Sequence, residues 1–145
     1  MKIIFALIFI VLIISNIQAQ EKGDNLIVIT TNRTADENYS LFGRHLVSEG
    51  YSFESKDAEF LTLNTNSQEA MGGGGTYEYR MAISFIDTLI YIRPTMAVHG
   101  LDPFSTARWI KWTYTNFKGV TNFHIFNDFA PKIKQYNFPI RYCKE

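Results

Sequence analysis

Almost everything that would announce a function is missing from this chain. One cysteine, Cys143, stands among 145 residues; no internal disulfide can form, so the fold must rest on its own core. Charge of one sign is missing too. Fourteen Lys and Arg face fourteen Asp and Glu, and no basic block falls on any candidate face, so nucleic acid is excluded from the expected partners. After residue 14 no apolar run is long enough to span a bilayer. There is no internal repeat, no interior linker and no G-x-S-x-G elbow. His45, His99 and His124 are too far apart for the helical pair spacing that zinc sites use. No cofactor and no metal site is expected from these residues.

What is present begins with an address. Lys2, the apolar run from Ile3 to Ile14 and the polar exit Ser15-Asn16-Ile17-Gln18-Ala19 have the layout of a secretory signal peptide, with cleavage after Ala19. As a helix that run rises only about 18 Å, against roughly 30 Å of hydrocarbon. The mature form therefore reads as exported, periplasmic or extracellular, without a transmembrane anchor. Residues 20–145 read as a single α+β domain, rich enough in Tyr, Phe and Trp to fill one core.

Leu26 to Thr31 is a continuous β-branched run, the mark of a central strand. Asn32 and Thr34 offer N-caps, Asp36 and Glu37 suit a first turn, and Ala35, Tyr39, Phe42 and Leu46 make one helical stripe closed by Gly50. From Tyr51 the period becomes two, with a return strand over 59–65 and a loop over 66–75. Tyr77, Tyr79, Met81, Ile83 and Phe85 then alternate against Glu78, Arg80, Ala82 and Ser84. Asp87-Thr88 reverses the chain, and 89–93 pairs back until Pro94 stops it. Residues 95–103 read as irregular and 109–115 as a strand, although Trp109 and Trp112 would also meet on one face of a helix. Phe123, Phe126, Ala130 and Ile133 mark a second helix that Pro131 either kinks or shortens to begin near Asp128, and 137–145 is a tail.

The order β-α-β-β-β-β-(β)-α predicts one antiparallel sheet with two helices packed on one face. That order resembles half of the TATA-box-binding-protein fold. With the signal peptide it is also similar to small secreted Bacteroidetes proteins of unknown function, which implies the same topology. The resemblance carries over no site residue, and neutral charge with an export signal argues against DNA binding.

Several residue groups compete for a role. Gly72 to Gly75 precede a strand and lack a lysine, so they read as a flexible, substitution-tolerant hairpin loop, not a phosphate cradle. Asn32-Arg33-Thr34 and Asn38-Tyr39-Ser40 match glycosylation sequons, but the helix makes both awkward. Phe104, Trp109, Trp112, Tyr114 and Phe117 form the best lead, with Arg93, Arg108 and Lys111 as polar partners. These residues point to a non-catalytic binding module for a protein, peptide or glycan, with Trp109, Trp112, Tyr114, Arg108 and Lys111 as its contact residues. The alternative is a small hydrolase-like or metal-dependent enzyme using His124 and Asp128, four apart on a helix, with another histidine. An open sheet face carrying Glu78, Arg80, Ser84, Ser52, Thr62 and Asn64 would favour binding; a deep pocket converging on two histidines would favour the enzyme.

Overall fold

A computed structural model describes residues 20–99 and 106–145; the signal-peptide reading, residues 100–103 of the irregular stretch and Phe104 lie outside them. Eight strands form one antiparallel sheet: β1 (Leu26–Thr30), β2 (Phe53–Asp57), β3 (Thr62–Thr65), β4 (Gln68–Gly72), β5 (Gly75–Ile86), β6 (Leu89–Val98), β7 (Arg108–Lys111) and β8 (Ile140–Cys143). Helices α1 (Ala35–Ser48) and α2 (Thr121–Lys134) accompany the sheet among the described residues. The spine is the long β5–β6 hairpin, turned at Asp87-Thr88 with Asp87 at φ 51°. Short strands tile its flanks. β3 and β4 pair with successive stretches of β5, while β1 and β7 pair with successive stretches of β6. The sheet order is β2-β3-β5-β6-β1-β8.

Both helices cover one face. Tyr79, Met81, Ile83 and Phe85 of β5 are buried there with Ile27 and Ile29 of β1, Ile90 and Ile92 of β6, and Leu63 of β3. From above, α1 contributes Phe42 and Leu46, and α2 contributes Ile125, Phe126, Phe129, Ala130 and Ile133. The alternation read in 77–85 thus names the core face. The α1 caps also follow the sequence. Thr34 Oγ1 accepts from the Glu37 amide while Glu37 reaches back to the Thr34 amide, a capping box. Those hydrogen bonds hold the Glu37 carboxyl below its usual value. At the other end Gly50 sits at φ 90°, and the Tyr51 and Gly50 amides donate to the Leu46 and Val47 carbonyls, a Schellman turn.

Four expectations need correction. The stretch 66–75 is not a loop, because Gln68–Gly72 is strand β4 and turns directly into β5. Pro94 does not stop β6, which runs on to Val98, so residues 95–98 are strand and not irregular. The Met81 amide points at Thr65 Oγ1, away from β6, so its partner Pro94 faces away from β5 and needs no donor there; its carbonyl accepts from the Trp112 amide. The strand expected over 109–115 spans 108–111, and the chain beyond it leaves the ladder while the Tyr114 amide still bonds the Asp24 carbonyl at 2.6 Å. The tail is not frayed, since Ile140–Cys143 pairs with β1 as β8 and gives β1 its second neighbour. Pro131 lies inside α2, which begins at Thr121. There it withholds one donor from the Asn127 carbonyl near the helix end.

Candidate functional site

The five aromatic and basic residues expected to form one surface divide between two. In β7 the side chains alternate, so Trp109 and Lys111 point to the face without helices, and Trp112 goes the other way. Trp112 is 0% exposed. Its indole Nε1 donates to the Asn122 carbonyl at 2.9 Å, and its ring stacks on Phe126 and meets Phe129 edge-on. It fastens the start of α2 to the sheet and cannot be a contact residue. Tyr114 is half-buried beside it, edge-on to Phe126. Arg108 is exposed at the far end of β7, and Phe117 is 66% exposed in the following loop.

The open face gathers a different set around Trp109. The Arg80 guanidinium lies 4.3 Å from the Trp109 ring centroid, a cation–π contact. Glu54 sits 3.6 Å from Arg80. Both border a depression of about 450 Å³ lined also by Ser55, Asn64, Ala82 and Thr95. Beside it Glu145 clasps Arg93 at 2.7 Å and Lys111 at 3.1 Å, and its amide donates to Asn25 Oδ1. Arg93 first, then Lys111, holds the Glu145 carboxyl below its usual value. The clasp therefore contributes above the ordinary carboxylate value and is lost as pH falls through the lower folded one. Arg93 also reaches Ser84 Oγ at 3.2 Å. Of the six residues expected on this face, Arg80, Ser84, Thr62 and Asn64 are on it by register, and Glu78 follows on the same side of β5. Ser52 lies outside the ladder and bonds Asn66.

The residues of the enzyme alternative are spent elsewhere. His124 stacks flat on Tyr77 at 5.5 Å, its Nε2 buried without a hydrogen-bond partner. Asp128 accepts from the Tyr79 hydroxyl and from Lys132 Nζ, and Tyr79 also bonds the Tyr51 hydroxyl at 2.7 Å. Burial pushes both phenols well above their usual range, and the Asp128 charge adds to it. This polar network joins α2 to β5 beneath the core, and no sequence spacing announced it. His45 donates from Nε2 to the Lys132 carbonyl at 2.8 Å, capping an orphan group in the last turn of α2. His99 is exposed beyond β6. Among the described residues no three His, Cys, Asp or Glu side chains are placed to hold one metal ion. Asn38 is fully buried and bonds Thr31 Oγ1, which closes that sequon to a glycan on the folded chain. Cys143 is a half-buried thiol against the Leu26 carbonyl.

The glycine run is structural, not flexible. Gly73 and Gly74 have φ of 58° and 83°, the two-residue hairpin geometry with both centres left-handed. A Cβ on Gly72 would collide with the His124 ring. Serines at 73 and 74 are expected to cost about 1–2 kcal/mol each, read as a lower urea midpoint. An unchanged midpoint would restore the flexible-loop reading.

No protein family, curated protein or solved structure matches this chain in comparisons with each. No helix among the described residues is long and apolar enough to cross a membrane.

Proposed function

We propose that the protein is an exported binding module of the cell envelope or secreted space, engaging a protein, peptide or glycan through the open face of its sheet. The observation that carries this reading is Trp109 on that face under the Arg80 guanidinium, next to the Glu54, Asn64 and Thr95 depression. Aromatic and arginine side chains beside polar groups are the usual anchors of recognition surfaces. The opposite face is filled by helices and core, and its histidines are engaged in packing. That leaves the enzyme alternative without a constellation among the described residues.

The reading is tested by affinity capture from an envelope extract of the source cells, with Trp109→Ala and Arg80→Ala run beside the unchanged protein. Each variant is expected to fold normally and to lose the captured partner, at a cost of about 2 kcal/mol or more for a hot spot. Equal capture by all three overturns the assignment to this face. Mass spectrometry of the exported protein should find Gln20 at its start, and an intact Met1 in the membrane fraction overturns the export part.

A further inference from the structure

A groove at the first sheet edge lies outside the surface described above. β2 ends the sheet: β3 pairs with one side of it, and no described residue pairs with the other. Between that edge and α1 is a hollow of about 280 Å³, with Tyr39, Gly43, Val47, Phe53 and Leu63 as apolar lining. Arg44 and Lys56 line it too, and both are exposed. Among the described residues neither makes an ion pair. Lys56 instead holds its ammonium 5.5 Å from the Phe53 ring centroid. Val47 is 56% exposed, a large apolar side chain with nothing described over it.

We infer that the β2 edge and the α1 groove together bind an extended acidic peptide. The peptide adds a strand to β2, sets an apolar side chain in the groove and brings its carboxylates to Arg44 and Lys56. The unpaired edge supplies a row of backbone donors and acceptors, which is where strand addition draws its affinity. Alternate side chains of an added strand fall on one face, so an apolar residue and its neighbour two positions away meet the same wall. The two unpaired cations make carboxylates the matching charge at that wall. Edge lysines and bulges discourage indiscriminate pairing, and β2 carries both, Lys56 and a register shift between Phe53 and Ser55. An acidic strand turns the lysine from a guard into a contact, which is selectivity by the repulsion of other strands.

The probe is a capped hexapeptide with glutamate and valine at every second position, Glu-Ser-Val-Ser-Glu-Ser, so that both kinds of side chain share one face of the added strand; it is titrated into the isotopically labelled protein and followed by amide and methyl shifts. Perturbations are expected at residues 53–57 and at the Val47 and Leu63 methyls. The dissociation constant should rise at least tenfold for three controls: the Arg44→Glu, Lys56→Glu double variant, a lysine–valine peptide, and a glutamate–valine peptide N-methylated at alternate amides. Trp109→Ala should leave this binding unchanged, which separates it from the open-face reading. Equal affinity of the N-methylated peptide would show a groove that uses no strand edge and overturns the inference. So would shifts confined to the face around Trp109, or no binding at millimolar peptide.

Discussion

Ile83→Asp is expected to destabilise the protein by about 4 kcal/mol or more, while Ser84→Asp changes it by less than about 1 kcal/mol. The two positions are adjacent in β5 and point to opposite faces. Ile83 is 2% exposed, in the core shared by Ile92, Leu63 and α1. A carboxylate there has no partner and must either ionise in apolar surroundings or take up a proton at a large cost. Ser84 already meets Arg93 at 3.2 Å, so an aspartate at 84 gains a cation instead of losing solvent. Since domains of this size are held by only about 5–15 kcal/mol, the first variant should show a much lower urea midpoint. Equal losses at the two positions would mean that the faces are reversed.

The two tryptophans should part company as sharply. Trp112→Ala is expected to cost about 3–5 kcal/mol of stability, because it removes a fully buried ring stacked on Phe126 and its indole hydrogen bond to the Asn122 carbonyl. Trp109→Ala removes a half-buried ring from the open face, and its loss should fall mainly on partner binding. Fluorescence offers an independent check. Trp112 should emit to the blue and resist iodide, and Trp109→Ala should remove most of the quenchable signal. Iodide access to Trp112 in the folded protein would contradict the packing of α2 described here.

How much of this was legible in sequence depends on whether the signal was local. The β5 face was readable because five apolar residues alternate without interruption, and Thr34 and Gly50 bracket α1 with standard cap chemistry. Strand β4 was not readable: Gln68-Glu69-Ala70-Met71-Gly72 offers only Ala70 to the core, and its strand state is imposed by pairing with β5. Pro94 looked like a stop because its orientation depends on which way Met81 faces, a fact of register and not of composition. In β8, Ile140 and Tyr142 do alternate with Arg141 and Cys143, but position near the chain end favoured fraying. For the candidate site, aromatic density pointed to the right segment and mixed its two faces. The Arg80–Trp109 contact joins residues far apart in sequence, as does the link from Tyr79 to Asp128, and no local pattern encodes either.

The place of β1 in the sheet has a consequence for the order of events in folding. β1 comes first among the described strands, yet its two neighbours are β6 and β8, the last of them, with the Cys143 thiol lying against Leu26 across a sequence separation of 117 residues. Half of its backbone ladder has no partner until residues 140–143 have been synthesised. Such long-range closure slows folding and holds it back from a growing chain. The Glu145 carboxylate, reaching Arg93 and Lys111 from just beyond β8, then acts as a latch over the docked strand. Docking of β8, and not the emergence of β1 itself, is what closes the sheet around β1.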